Sequence, residues 1–249
     1  MTDPVLEVQQ LSKSFGAVKA SDKLSFSVAP GQVHALIGPN GAGKSTAIAQ
    51  IIGELPPDSG RIRFSDQDIT GLPTYQRAQR GMQRSYQITS LFQGLTVEDN
   101  VAMAIQAQQG HSFRFWEAAR KVPTLRTPAT EALKQVGLEG KAALPVTALS
   151  HGEQRQLELA MVMAAKPSLL LLDEPMAGMG QSESRAMMEI LRPMKGSISI
   201  LLVEHDMDVV FSLADVVSVL VKGAVLMTGS PDEVRSDSRV RSAYLGDEG

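Results

Sequence analysis

The chain has no cysteine in its 249 residues, which excludes disulfides, thiol nucleophiles and thiolate metal sites and suits a reducing compartment. It has no surplus of positive charge either: 24 Lys and Arg stand against 27 Asp and Glu, a formal net charge of −3. Without a bulk positive field, nucleic acid is not an expected partner, and anionic lipid exerts no general attraction. Long apolar runs are missing. Stretches such as Leu169 to Leu172 and Ile200 to Val203 fall far short of the roughly 20 residues that cross a bilayer, so any membrane role is expected to be peripheral. The opening Met1-Thr-Asp-Pro-Val-Leu-Glu7 lacks the basic region and apolar stretch of a secretory signal. Repeats, low-complexity segments and sustained heptads are absent as well. What is present is an apolar share of 43%, ordinary for a chain with a real core, at a length that fits one large domain or two small ones.

Turn residues divide the beginning of the chain into β segments. Val5 to Gln10, Leu24 to Ala29 and Gln32 to Ile37 read as strands, with Ala29-Pro-Gly31 between the last two. Pro56-Pro-Asp-Ser-Gly60 marks a further turn before the alternating Arg61-Ile-Arg-Phe64. From Val97 to about Ala165 a helical period takes over, in Val97 to Gln106, Ala129 to Val136 and Gln154 to Ala165, with an irregular stretch from Gln109 to Pro128. This reads as a helical insertion. From Ser168 onward, strands (Leu169 to Leu172, Ile198 to Val203, Val216 to Leu220) alternate with helices (Ser182 to Leu191, Met207 to Leu213), the rhythm of a parallel sheet with covering helices and hence an α/β core. Ser230-Pro-Asp-Glu233 has the makings of a helix start, with Ser230 as N-cap, Pro231 in the first turn and Glu233 completing a capping box. Arg77, Arg80 and Arg84 read as the solvated face of a helix, and the twelve methionines as core filling.

Gly38-Pro39-Asn40-Gly41-Ala42-Gly43-Lys44-Ser45-Thr46 fits the pattern G-x-x-x-x-G-K-[ST] and follows the apolar strand Val33 to Ile37. Its glycines let the backbone turn tightly, so that N–H groups converge on phosphate oxygens at the N-terminus of the helix that begins near Lys44. Lys44 can reach the terminal phosphates as a point charge, and the Ser45 hydroxyl can ligate a magnesium ion that bridges them. The loop therefore predicts a nucleoside triphosphate site. A second element fits it. Ser168-Leu-Leu-Leu-Leu-Asp173-Glu174-Pro175 is an apolar strand that ends in two acids, and the carboxyl edge of a parallel sheet is where such folds bind ligands. Phosphoryl transfer needs one carboxylate for the metal shell and another group for the attacking water, which assigns Asp173 to metal and Glu174 to water.

Leu149-Ser150-His151-Gly152-Glu153-Gln154 precedes a helix, with Ser150 placed as N-cap and Glu153 at the capping-box position. Alone it is a helix start. Beside the phosphate loop and the Asp173-Glu174 strand it resembles the LSGGQ motif of ATP-binding cassette ATPases, and the resemblance covers nearly the whole chain. Phe15 lies where that family packs an aromatic on adenine. Gln87, in Arg84-Ser-Tyr-Gln87, matches the glutamine that joins the metal site to the helical subdomain, and His205, in Val203-Glu-His-Asp-Met207, matches the switch histidine at the γ-phosphate. Two positions depart from the pattern: His151 replaces the first glycine of the motif, and Gly180 stands where an aspartate usually crosses to the partner subunit. Within the family, Leu149 to Ala160, Asp173 to Met179, the extra stretch from Gln109 to Pro128 and the ending Ala243-Tyr-Leu-Gly246 are similar to the longer ATPase of branched-chain amino-acid importers.

The resemblance implies a single ATPase domain over residues 1–249, with a RecA-like phosphate-loop NTPase core and an N-terminal antiparallel β subdomain at about 1–86 and 166–249 and a helical subdomain inserted at about 87–165. It implies ATP and Mg2+ as ligands, with Ser45, Gln87 and Asp173 around the metal and Lys44, Glu174 and His205 around the γ-phosphate. Ser150, Gly152 and Glu153 would meet the ATP of a second cassette subunit, whether a copy or a cousin. Its further partners would be two membrane permease subunits and, indirectly, a periplasmic or extracellular substrate-binding protein; Leu91 and Phe92, which read as exposed, either receive a permease helix or serve local packing. The expected location is peripheral, on the cytoplasmic face of the inner membrane. Import of urea or short amides, export, and a soluble role outside transport are the alternatives that the same motifs allow.

Overall fold

The computed structural model describes residues 3–85, 91–108 and 123–245. In chain order, β1 (Leu6–Phe15) and β2 (Val18–Val28) are followed by β3 (Val33–Ile37), α1 (Lys44–Ile52), β4 (Ser59–Phe64), β5 (Gln67–Asp68), α2 (Thr74–Gln79) and β6 (Met82–Ser85). The helices α3 (Val97–Gln108), α4 (Pro123–Gln135) and α5 (His151–Met163) come next. Then come β7 (Leu169–Asp173), α6 (Gln181–Leu191), β8 (Ser199–Val203), α7 (Met207–Leu213), β9 (Val216–Val221), β10 (Ala224–Gly229), α8 (Pro231–Ser236) and α9 (Ser238–Leu245). They gather into two compact units, one of residues 1–84, 168–174 and 191–249, the other of 85–167 and 175–190.

The first unit is built on two sheets. The larger has the order β10-β9-β3-β8-β7-β6, with β3 parallel to β8 and β9, β7 parallel to β8, and β10 antiparallel to β9. Every residue of β3, β7 and β8 is buried, which is why these strands read as unbroken apolar runs rather than as alternation. Successive side chains go to opposite faces. Leu36 packs with Ile48 and Ile51 of α1 and with Leu201 and Val203 on one face; Ala35 and Ile37 pack with Val210, Val217, Val219, Val234 and Val240 on the other. Each fully buried Leu, Ile or Val side chain of this kind contributes about 1.5–3 kcal/mol. The smaller sheet, β2-β1-β4-β5, is antiparallel throughout, as the N-terminal β subdomain requires.

β1 and β2 run further than the apolar stretches Val5 to Gln10 and Leu24 to Ala29. Their outer halves carry Lys13, Lys19, Asp22 and Lys23, and the pairing slips at several points between Val8 and Ser14, so no period of two shows in the sequence there. The arginines also depart from expectation. Arg77 is buried: its guanidinium donates to the carbonyl oxygens of Gln50 (2.9 Å), Ile51 (2.6 Å), Thr70 (2.9 Å) and Leu72 (2.8 Å). It closes the C-terminal turn of α1, where orphan carbonyls and the helix dipole favour a cation. Arg84 lies on β6 and turns toward Glu54 and Asp173. Of the three, Arg80 is exposed; helical spacing misleads here because α2 stops at Gln79.

In the second unit α3, α4 and α5 pack against one another through buried Val101, Ile105, Leu125, Ala129, Leu133, Leu157 and Ala160. α4 starts at Pro123 and contains Pro128, a residue that reads as the end of an irregular stretch. Arg126 ties its first turns to α3 by ion pairs with Glu98 (2.6 Å) and Asp99 (2.7 Å). Leu91, expected at the surface, is buried, whereas Phe92 is exposed. The side-chain amide of Asn100 holds this turn: its Oδ1 accepts from the Phe92 N–H (2.8 Å) and its Nδ2 donates to the Thr96 carbonyl (2.9 Å). No helix among the described residues is long and apolar enough to cross a membrane.

Candidate active site

The parallel register fixes where chemistry can gather in the first unit. Leu36 of β3 and Asp173 of β7 both pair with Val203 of β8, so three strands end at one edge. The next residues of each are the Gly38–Thr46 loop, Glu174 and Glu204-His205. The loop is held by close packing as much as by its own turns. A Cβ on Gly38 would lie 2.3 Å from the Leu220 carbonyl oxygen, and one on Gly43 would lie 2.1 Å from that of Ala20. Gly43 precedes α1 in a left-handed conformation, φ 101°, with no side chain capping the helix and no acid in its first turn. Such an end presents free N–H groups and a positive dipole pole to an anion. Asn40, Gly41 and Ser45 are exposed, Pro39 and Thr46 half-buried, and Gly38 and Ala42 buried.

Lys44 is nearly sealed, and its ammonium donates back to the carbonyls of Gly38 (2.5 Å) and Pro39 (3.0 Å). Burial pushes its pKa down, while the charges of Glu174 and then Asp173 pull it back up. The loop and both acids therefore share one electrostatic site. Glu174 adopts φ 49°, unusual for a residue with a side chain, and its N–H donates to the Val203 carbonyl (2.9 Å); strain of this kind collects at functional sites. His205 is exposed, with Nδ1 4.0 Å from Glu174 Oε1 and 3.9 Å from Glu204 Oε2. Glu204 itself is buried, although in the sequence it reads as one more acid after a strand. Phe15 ends β1 as an exposed ring with the Lys13 ammonium 5.9 Å from its centroid, so it is not a core residue; Phe26 is. Gln87 lies outside the described residues.

The second unit contains the other motif. Ser150 caps α5: its Oγ accepts from the Glu153 N–H (3.3 Å), and Glu153 Oε2 accepts from the Ser150 N–H (3.0 Å), the full capping box. Lys141 also donates to Glu153, and that bond, followed by the Ser150 N–H, holds the Glu153 carboxyl below its ordinary range. His151 is exposed, so its bulk is directed away from the helix core. Gly152 is buried, and its N–H donates to Glu183 Oε1 (3.2 Å), while Glu183 Oε2 accepts from the Gly180 N–H (3.1 Å). A Cβ on Gly152 would come 2.7 Å from that carboxylate oxygen. Glu183 thus ties the start of α5 to the segment before α6, a role that nothing in the local sequence marks.

A glycine-rich loop on a helix N-terminus, at the same sheet edge as two acids that end a parallel strand one place removed, defines a phosphate-loop nucleotide hydrolase. The model of the ABC transporter family matches residues 21–177, and the chain belongs to that family of ATPases. A second model, described as that of the branched-chain amino acid ATP-binding cassette transporter, matches residues 224–249. The chain is 35% identical over 256 residues to the high-affinity branched-chain amino acid transport ATP-binding protein LivG of Escherichia coli, taking in 99% of this chain and 100% of that protein. It is likewise 35% identical to BraF of Pseudomonas aeruginosa, a protein of the same description, over 99% of this chain and all of the relative. Among solved structures it is similar to a nucleotide-free ATP-binding cassette from an ABC transporter, with TM-score 0.84 and 28% identity over 97% of this chain and 99% of that one. The ADP conformation of an ATP-binding cassette of an ABC transporter superposes with TM-score 0.86 and 28% identity, over 98% of this chain and all of that one.

Proposed function

We propose that this ATPase powers an importer of branched-chain amino acids, or of a related small amide such as urea, from the cytoplasmic face of the inner membrane. The observation that carries the reading is the meeting of the Gly38–Thr46 loop with Asp173 and Glu174 around the Lys44 ammonium; the full-length similarity to LivG and BraF supports the cargo. Residues 1–249 act as one ATPase domain, with the nucleotide held by the core at about 1–86 and 166–249 and the helical subdomain at about 87–165. The compact helical unit, which also takes in 175–190, supports that division.

In this reading the residues from Gly38 to Thr46 cradle the triphosphate with backbone N–H groups, and Phe15 offers its exposed ring to adenine. Lys44 leaves the loop carbonyls for the β- and γ-phosphates. Ser45, Asp173 and Gln87 supply the hard oxygen donors that suit magnesium, an ion that keeps water and phosphate among its ligands. Magnesium held by these residues would neutralise phosphate charge. Glu174 orients the attacking water and takes its proton, and His205 stabilises the γ-phosphate.

Ser150, Gly152 and Glu153 close over the ATP of a second cassette subunit. Shifting an open and closed pair from 1:99 to 99:1 takes about 5.5 kcal/mol of differential binding, and one subunit that holds ATP equally in both states supplies none of it. Donors from a facing subunit, which meet the γ-phosphate when the pair closes, supply that difference, and hydrolysis removes it. Two permeases receive the motion near the exposed Phe92, and an external binding protein delivers the cargo. Glu174→Gln is the test. It retains ATP affinity and closure, while turnover falls by about 10²–10⁴, measured as phosphate release; a wild-type rate would remove Glu174 from the role.

A further inference from the structure

Arg84 sits on β6, whose neighbour in the sheet is β7, and its guanidinium spans two carboxylates. Nη2 donates to Asp173 Oδ2 at 2.7 Å, and Nη1 donates to Glu54 Oε2 at 3.1 Å. The two acids differ in surroundings: Asp173 has 7% of its side chain exposed and Glu54 41%. A carboxylate as sealed as Asp173 needs a balancing charge close by. Lys44 contributes to the field there, but its hydrogen bonds go to Gly38 and Pro39. The cation in hydrogen-bond contact with Asp173 is Arg84.

We infer that Arg84 guards the metal position: with no nucleotide bound, its guanidinium takes the Asp173 carboxylate and keeps free divalent cations off it. The inference rests on the ATPase reading and extends it to the order in which ligands arrive. Two adjacent acids at a strand end, left bare, would attract a divalent cation by themselves. A cation already held at 2.7 Å lowers the attraction of that carboxylate for a second one. A triphosphate changes the balance, because its oxygens add several ligands to the same ion. Glu54 completes the device. When Asp173 turns to the metal, Arg84 keeps a carboxylate partner on its other nitrogen, so its charge is not stranded in a site where it is only 16% exposed. Arg84 is then a positioning residue that makes metal entry depend on nucleotide.

The test uses the full chain and Mn2+ as the probe, followed by its electron paramagnetic resonance signal in the absence of nucleotide. Arg84→Gln should raise the affinity for free Mn2+ by about tenfold or more, the effect of removing one nearby charge at partial burial, whereas Arg84→Lys stays near wild type. Glu54→Gln removes the alternative partner, so more Mg2+, by about threefold, is needed to reach half-maximal ATP binding in calorimetry. Unchanged or weaker Mn2+ binding in Arg84→Gln overturns the guard and makes the residue a simple brace. If Arg84→Gln fails to fold, the proposal is decided by Glu54→Gln, for which an unchanged Mg2+ requirement refutes it. Wild-type calorimetry with MgATP separates the two levels: binding there with no variant effect sinks the guard alone, and no binding sinks the ATPase reading together with it.

Discussion

His34 shows how far one side chain can depart from what its neighbours in sequence suggest. It stands on β3, buried, with Nε2 2.8 Å from the Ser218 hydroxyl, which in turn lies 2.7 Å from Thr228 Oγ1. Burial pushes its pKa from 6.5 down to about 4. Because the folded value lies below the unfolded one, the unfolded chain binds more protons between about pH 4 and 6.5, and stability rises with pH through that window. We expect denaturant unfolding to lose on the order of 3 kcal/mol of stability through this residue between pH 7 and pH 4, and His34→Asn to flatten the slope. Equal slopes for the two proteins would show that His34 is not the group responsible. Arg77, Arg84 and Glu183 make the same point without titration. Each is drawn to partners remote along the chain, and their immediate neighbours would be compatible with a surface role.

At the scale of elements, ends were more legible than middles. Both capping boxes, Ser150 with Glu153 and Ser230 with Glu233, form as their spacing predicts, because a cap is closed by groups three residues apart. Ser150→Ala should therefore cost about 1 kcal/mol in unfolding free energy. The same substitution should impair closure by more than that loss explains, if the hydroxyl also meets the ATP of a facing subunit; cross-linking of Glu174→Gln dimers with and without the second change would show it. The buried strands β3, β7 and β8 were readable as apolar runs. The polar halves of β1 and β2 were not, since pairing there is sustained by backbone hydrogen bonds under an irregular register and leaves no hydrophobic period. α4 extends through Pro128 and begins at Pro123, where residue-level rules read a break but packing on α3 and the Arg126 ion pairs carry the helix on.

For the whole molecule, the decisive measurement is transport-coupled hydrolysis. Reconstituted with two permeases and a second cassette subunit, the chain should hydrolyse ATP several-fold faster when a loaded branched-chain amino-acid binding protein is added, read as phosphate release from proteoliposomes. Stimulation by a urea-binding or amide-binding partner instead would keep the importer and change its cargo; indifference to every binding protein would move it out of import. The sequence by itself determined the phosphate loop, the paired acids, the helix caps and the alternation of strands and helices, all of which depend on residues within a few positions of one another. The tertiary structure alone decided what Arg84 and Arg77 do and which carboxylate meets Gly152. Arg84 and Asp173 are 89 residues apart and Gly152 and Glu183 are 31, and a charge separated from its partner by that much chain finds it only when the sheet and helices have packed.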